Sequence, residues 1–236
     1  MWAILPVKNL DAAKQRLVDV LSPAERRLLL RAMLEDVLAT LSHVAALDGV
    51  AVVSRDPVAA SLARSYGALL MMEAESRGQS AAVSMAAVRL AAEGVDGMIT
   101  VPADVPLATP AEIGKVLAAV HGPALALTIV PARDENGSNC VACSPADCIP
   151  FRFGDGSFFA HLEEARCQGI TPQALHLPGL GLDIDTPADL GVLLDRPGDT
   201  RTHAYLAESG IARRLGKRGC DGGSIRVTAG QARGSP

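Results

Sequence analysis

The stretch Ile99-Thr100-Val101-Pro102-Ala103-Asp104-Val105-Pro106-Leu107 decides the fold of this chain. An apolar run breaks at one proline, delivers a single aspartate and stops at a second proline, which is typical of a buried strand that ends in a loop. In open α/β sheets ligands gather at the carboxyl ends of strands, where a rigidly placed aspartate commonly holds a hard divalent cation against phosphates. The alternative is that Asp104 only caps the turn, and this stretch alone leaves both interpretations open.

Composition argues against a disordered, a nucleic-acid-binding or a membrane protein. The chain has 236 residues, of which 49% are hydrophobic and 20% charged, so we expect a globular protein with a sizeable core. Only 3% of the residues are aromatic and the net charge is −4, which disfavours nucleic-acid partners but allows one phosphorylated small molecule held by a local cluster of cations. No apolar run reaches membrane-spanning length and residues 1–6 lack the features of a signal peptide, so we expect a cytoplasmic protein with no membrane partner.

The cysteines carry little functional signal. Their number, five, is odd and their spacing forms no disulfide framework, so we expect reduced thiols. Cys140 and Cys143 form a CxxC pattern inside a strand-like run, where the two positions face opposite sides of a sheet. With no second pair in the sequence, a metal or redox role is disfavoured.

Apolar periodicity predicts strands that alternate with helices along most of the chain. The predicted strands cover residues 3–7, 49–54, 68–72, 97–101, 124–130, 140–144 and 173–178. The predicted helices run over 23–42, from 57 to the glycine at 67, from the segment 75–80 to about 93, over 110–120 and 158–168, and from 187 onward. This alternation predicts a mostly parallel, three-layer α/β sandwich in a single domain, 1–215, followed by a disordered tail, 216–236.

Several helix starts are visible in the sequence. Three segments combine a hydroxyl residue, a proline and an acid three residues later, a pattern that predicts capping boxes. They are Ser22–Glu25, Thr109–Glu112 and Thr186–Asp189. Ser157 is the expected N-cap of the helix 158–168, and the region of Gly154 and Ser157 could in addition hold an anion at that helix N-terminus.

Charged residues follow the predicted strands at two further places. Lys8, Lys14 and Arg16 come after the first strand, where they could meet a triphosphate or simply form a solvated basic loop. Asp183 and Asp185 alternate, so that both face the same side of an extended segment. Two such carboxylates repel each other unless a cation sits between them or water screens them.

Two polar segments are candidates for ligand contacts. The segment Arg77-Gly78-Gln79-Ser80 could present backbone N–H groups to a base or a phosphate, although glycine and serine are also ordinary turn residues. The polar loop 133–139 lies between two predicted strands, which is a usual location for substrate contacts. The five histidines are scattered, and we interpret each as a surface or packing residue. They are His43, His121, His161, His176 and His203.

Taken in order, these motifs resemble the CofC/FbiD guanylyltransferases of coenzyme F420 biosynthesis. The resemblance covers about residues 3–212 and rests on the segments 4–8, 13–17, 21–26, 102–107, 151–158 and 182–190. It implies a fold like that of the molybdenum-cofactor guanylyltransferases and the nucleotide-diphospho-sugar transferases. It also implies an enzyme that joins GMP from GTP to a phosphorylated three-carbon acid and releases pyrophosphate. The acid is 2-phospho-L-lactate, phosphoenolpyruvate or 3-phospho-D-glycerate, and the sequence does not choose among them.

The resemblance also implies roles for individual residues. Lys8, Lys14 and Arg16 are the expected triphosphate-binding cations, replacing part of the Gly-rich loop that related sugar and molybdopterin transferases use. Asp104 is the expected Mg²⁺ ligand, and one of Asp183 and Asp185 is expected to complete the metal site.

For the two substrates the resemblance implies separate groups of residues. Arg77, Gly78, Gln79, Ser80 and Pro102 are expected near the nucleotide, although Gln79 and Ser80 stand where the family usually has leucine and asparagine. The pocket for the acid is expected to contain Ser138, Asn139, Gly154 and Ser157.

Two other functions fit the same motifs. One is a nucleotidyltransferase that acts on a sugar phosphate or on molybdopterin. The other is a non-catalytic GTP-binding regulator that kept the fold. A homodimer is compatible with the sequence.

Overall fold

The computed structural model describes residues 1–73, 77–122 and 125–215. The predicted disordered tail, 216–236, therefore lies outside the described residues, and so does the segment 74–76 before the third helix.

Seven strands form one sheet in the order β3-β2-β1-β4-β6-β5-β7. Their bounds are β1 Trp2–Pro6, β2 Gly49–Val53, β3 Leu69–Met71, β4 Met98–Thr100, β5 Ala126–Pro131, β6 Ser138–Ser144 and β7 Gln173–Ala174. Among these strands only β6 runs antiparallel to its neighbours, β4 and β5. The predicted mostly parallel α/β fold is confirmed.

Helices cover both faces of this sheet. Their bounds are α1 Pro23–Ser42, α2 Pro57–Ser65, α3 Gln79–Ala92, α4 Pro110–Val120, α5 Ser157–Cys167, α6 Pro187–Leu194 and α7 Arg201–Glu208. One apolar cluster joins one face of the sheet to α1, α2, α4, α6 and α7, and a second joins the opposite face to α3 and α5. Successive strand residues alternate between the two clusters, as a pleated strand buried on both faces requires.

The CxxC cysteines follow this alternation. Cys140 lies in the first cluster and Cys143 in the second, so the prediction that they face opposite sides is confirmed. Among the described residues no helix is long and apolar enough to cross a lipid bilayer.

Several predicted boundaries are wrong for local reasons. The strand predicted over 173–178 ends at Ala174, because the chain then leaves the sheet and turns, with the N–H of Gly181 donating to the Leu177 carbonyl. Ser138 and Asn139, predicted as loop, are the first residues of β6. The third helix begins only at Gln79, because its N-cap, Gly78, has a φ of 95° that favours glycine.

The helix caps also differ from the predictions at two places. Ser22 and Thr186 form the expected reciprocal capping boxes. Thr109 accepts the N–H of Glu112, but the Glu112 carboxylate turns away from the helix. Ser157 is not the N-cap of α5: Gly156 takes that position with a φ of 69°, and Ser157 is the first helical residue.

Candidate active site

Two adjoining cavities open at the carboxyl ends of β1 and β4, with volumes of about 580 and 520 Å³. They share five lining residues, namely Lys8, Gln79, Pro102, Asp104 and Asp185. Lys14 lines the smaller cavity. The larger one is also lined by Arg16, Ser138, Asn139, Gly154, Ser157 and Asp183. The fold thus brings most of the predicted site residues to one place.

Arg77, Gly78 and Ser80 are described residues that do not line either cavity. The Ser80 hydroxyl instead accepts the backbone N–H of Phe153 at 2.9 Å. Ser80 therefore joins the start of α3 to the segment before α5, and its expected contact with the nucleotide stays a prediction.

The chain between β1 and α1 directs a lysine into the site. Two short 3-10 turns, Leu10–Ala12 and Gln15–Leu17, anchor this segment through the buried side chains of Leu10 and Leu17. Lys14 lies between the turns with a φ of 55°, in the left-handed region that a lysine rarely adopts. The anchored turns hold this backbone, and the Lys14 side chain is only 4% exposed.

The Lys14 ammonium bridges two aspartates. Its Nζ lies 2.5 Å from Asp104 Oδ2 and 2.6 Å from Asp185 Oδ1. Burial alone would lower the pKa of Lys14, but the two carboxylates outweigh burial and raise it. Burial would likewise raise the pKa of Asp185, and the ammonium of Lys14, with Arg16 and Lys8, lowers it. The lysine is thus held charged between two carboxylates.

The third aspartate is placed differently. Asp183 lines the same cavity as Asp104 and Asp185, which confirms that the alternating pair faces one side. Burial, helped by the negative charge of Asp104, raises the pKa of Asp183 to about 6. The Asn139 amide opposes this shift by donating to Asp183 Oδ1 at 3.1 Å. A backbone hydrogen bond from Ile184 N–H to the Asp104 carbonyl, 3.0 Å long, joins the two acidic segments.

These carboxylates fit a hard divalent cation in their chemistry. Oxygen ligands suit Mg²⁺, and the Lys14 ammonium already stands between Asp104 and Asp185 as a compact positive charge. Among the described residues no three acidic, histidine or cysteine side chains converge on one point. A metal between Asp104 and Asp185 would therefore take the place of the Lys14 ammonium, and the metal roles of the three aspartates stay predictions.

At the other side of the larger cavity, two serine hydroxyls line the wall together with the charged residues Arg133, Asp134 and Asp155. Ser157 Oγ accepts the backbone N–H of Ser138 at 2.9 Å. The first N–H groups of α5 are already bonded inside the protein: Ser157 donates to the Gly154 carbonyl and Phe158 to the Asn136 carbonyl. The hydroxyls of Ser138 and Ser157, rather than these N–H groups, are thus left for a ligand, and both residues keep their expected role as a prediction.

Sequence reasoning missed two residues that support the site. Glu112, expected in a capping box, accepts the N–H groups of Gly179 and Leu180 at 2.8 and 3.1 Å and so holds the segment that leads to Asp183. His161, interpreted as a surface or packing residue, is fully buried and its Nδ1 lies 2.9 Å from Ser138 Oγ. Its spacing of four residues from Ser157, on one face of α5, was the available signal for His161. No local pattern pointed to the role of Glu112.

The model of one protein family, described as guanylyl transferase CofC like, matches residues 1–224. The chain belongs to this family. CofC-like relatives are similar over most of their length. A phosphoenolpyruvate guanylyltransferase of Roseiflexus castenholzii is 40% identical over 208 residues, which cover 88% of this chain and 94% of the relative. A 2-phospho-L-lactate guanylyltransferase of Methanothermobacter thermautotrophicus is 36% identical over 205 residues, covering 86% and 88%. Membership of the CofC-like family makes the protein a nucleotidyltransferase.

Solved structures share the fold at low sequence identity. A protein of Desulfovibrio desulfuricans G20, assigned as a nucleotide-diphospho-sugar transferase, superposes with a TM-score of 0.74 at 18% identity and covers 91% of this chain and 97% of its own. A CMP:2-keto-3-deoxy-manno-octonic acid synthetase, solved with CTP, has a TM-score of 0.56 at 14% identity and covers 88% and 98%. The CofC-like chain therefore has the expected nucleotidyltransferase fold.

Proposed function

We propose that this protein transfers GMP from GTP to a phosphorylated three-carbon acid and releases pyrophosphate, as a step of coenzyme F420 biosynthesis. The observation that carries the proposal is one continuous lining, with a lysine held between two carboxylates on one side and donor hydroxyls on the other. Lys14, Asp104 and Asp185 form the charged side, and Ser138 and Ser157 form the hydroxyl side. The names of the relatives support phosphoenolpyruvate or 2-phospho-L-lactate as the acid.

The reaction needs electrostatic stabilisation of negative charge rather than proton transfer. A phosphate oxygen of the acid forms a bond to the α-phosphorus of GTP, and the bond from that phosphorus to the oxygen bridging to the β-phosphate breaks. The electron pair leaves with pyrophosphate. Because the attacking phosphate is already ionised, no general base is required. Two anions must nevertheless approach each other, and negative charge accumulates on the leaving group.

Cationic side chains offset this charge. Lys8 and Arg16 line the larger cavity and would contact the triphosphate, and the Lys14 ammonium, displaced from between Asp104 and Asp185 by a bound Mg²⁺, would join them. Asp104 and Asp185, with Asp183 beside them, would hold Mg²⁺. When bound, this ion supplies charge neutralisation and orientation of the phosphates.

The decisive experiment measures pyrophosphate release with GTP and Mg²⁺ against the three acids in parallel, with ATP and CTP as controls for the base. Release with one acid and GTP, but not with ATP or CTP, supports the proposal. Release only with a sugar phosphate or molybdopterin would assign the protein to another transferase. GTP binding without release of pyrophosphate with any acceptor would instead indicate a regulator.

Two further expectations belong to this proposal. We propose that the enzyme works in the cytoplasm, which the four described cysteines support because all of them are free thiols. A homodimer stays a prediction, and sedimentation of the purified protein would measure its assembly state.

A further inference from the structure

A buried histidine lies directly behind the hydroxyl side of the cavity. His161 is fully buried in α5, and its ring packs edge-on against Phe153 with centroids 4.9 Å apart. Both ring nitrogens have a polar partner: the backbone N–H of Arg152 is 2.9 Å from Nε2, and Ser138 Oγ is 2.9 Å from Nδ1. The ring thus connects the segment before α5 to the first residue of β6.

These partners determine which nitrogen carries the proton. A backbone N–H can only donate, so Nε2 of His161 accepts from Arg152. In the neutral ring the proton is then on Nδ1, which donates to Ser138 Oγ. Burial lowers the pKa of His161 to about 4, against smaller opposing effects of Glu164 and of a hydrogen bond with the Ser157 backbone, so the ring is neutral near pH 7.

The hydrogen bond from His161 leaves the Ser138 hydroxyl available as a donor. Its oxygen accepts from His161, and among the described residues its hydroxyl proton has no acceptor. Ser157 is in the same state, because its oxygen accepts the Ser138 N–H. Both residues line the larger cavity while being almost fully buried. Each hydroxyl already accepts one hydrogen bond within the protein and has its proton free to donate into the cavity, which suits a group that only accepts, such as a carboxylate or a phosphate.

We propose that His161 is a positioning residue for the acid substrate, holding the Ser138 hydroxyl as a donor to one anionic group of the phosphorylated three-carbon acid. This inference rests on the proposed function and adds to it a residue that determines acid affinity without touching the substrate. Without the donor at Nδ1, the Ser138 hydroxyl is free to turn or to accept, and the acid loses a directed hydrogen bond.

The first test separates acid affinity from nucleotide affinity. His161→Phe keeps an aromatic ring beside Phe153 and removes both hydrogen bonds. We expect the KM for the acid to rise about tenfold, the usual effect of one hydrogen bond to a charged group, while the KM for GTP changes less than about twofold. An unchanged KM for the acid, or equal rises for the acid and for GTP, would overturn the inference.

Two variants that carry a side-chain amide test the donor at Nδ1 of His161. They also test the inference if His161→Phe does not fold. His161→Asn places an amide donor near the position of Nδ1, whereas His161→Gln places its amide near Nε2, away from Ser138. We expect His161→Asn to recover most of the acid affinity and His161→Gln to recover little. Equal KM values for the acid in the two variants would contradict the inference.

A double-mutant cycle shows whether His161 acts through Ser138. Ser138→Ala removes the hydroxyl, so His161→Phe should add almost nothing to the KM for the acid in that background. A full additional effect would mean that His161 acts by another route.

The wild-type protein separates this inference from the proposed function. If it releases no pyrophosphate with any of the three acids, the proposed function fails and the inference fails with it. If the wild type does release pyrophosphate, and Ser138→Ala raises the KM for the acid while His161→Phe leaves that KM unchanged, only the role of His161 is wrong.

Discussion

On the side of the active site that follows β1 a lysine is held between two carboxylates, whereas on the side next to α5 two buried serine hydroxyls line the cavity. Lys14 forms ion pairs with both Asp104 and Asp185, so this side of the site acts through the charges of its side chains. Ser138 and Ser157 each accept one hydrogen bond within the protein, which leaves their O–H protons to donate to a ligand. This side therefore acts through the direction of its hydrogen bonds. The difference teaches that one cavity can recognise anions either by opposing their charge or by aligning hydrogen bonds on their oxygens.

The largest expected effect tests the charged side. We expect Asp104→Asn to leave the fold intact and to reduce turnover by about 10²–10³, or roughly 3–4 kcal/mol, because one well-placed charge is lost where charge develops. Steady-state pyrophosphate release measures it, and Asp199→Asn, on the exposed segment before α7, is the matched control. Near-normal turnover of Asp104→Asn would refute the assignment of this residue.

The next effect tests the hydroxyl side, through the pH dependence of the buried His161 behind it. The pKa of His161 falls from an ordinary 6.5 to about 4 in the folded protein, so between these values the unfolded state binds a proton that the folded state does not. The contribution of His161 is present in full above pH 6.5 and is lost as the pH falls toward 4, on the order of 3 kcal/mol.

Urea unfolding of the wild type and of His161→Phe across this pH range checks the sign. The charged groups nearest the ring, Arg152 and Glu164, are retained in both proteins and form an ion pair. The wild type should lose more unfolding free energy than the variant on acidification. Parallel losses would show that His161 does not titrate in this way.

A smaller effect tests how far the charged side contributes to folding. Lys14→Met leaves Asp104 and Asp185 without their shared cation, and we expect a loss of about 2 kcal/mol of unfolding free energy. This is less than a fully buried pair costs, because both carboxylates keep some solvent access. Arg31→Met, which breaks an exposed pair with Glu35, is the control and should cost well under about 1 kcal/mol. Equal stability of Lys14→Met and wild type would show that the ion pairs of Lys14 contribute nothing to folding.

The smallest expected effect concerns Glu112, which holds the segment that leads to Asp183. Glu112 accepts two backbone N–H groups, so Glu112→Gln should cost about 1–2 kcal/mol in unfolding free energy and reduce turnover only several-fold. The comparison is Glu163→Gln, on the exposed face of α5. A drop in turnover as large as that of Asp104→Asn would mean that the segment before Asp183 matters as much as the acidic residues themselves.

The elements of the fold were largely predictable from local pattern. Helix α1 has its predicted bounds, because a capping box and a helical apolar period agree over its whole length. The strand β7 was overpredicted, since an apolar run does not reveal where a chain leaves its neighbour in a sheet. Ser157 was misassigned as a cap because a glycine one residue earlier took the left-handed position.

By itself, the sequence determined the alternation of strands and helices and the residue types of the site, because both depend on neighbours along the chain. Only the tertiary structure decided that Lys14 binds Asp104 and Asp185, which are 90 and 171 residues away from it. The same holds for Glu112, which reaches a turn 67 residues ahead of it. Such contacts form where separate segments pack together, and their partners are selected by burial and charge in three dimensions, which no local period contains.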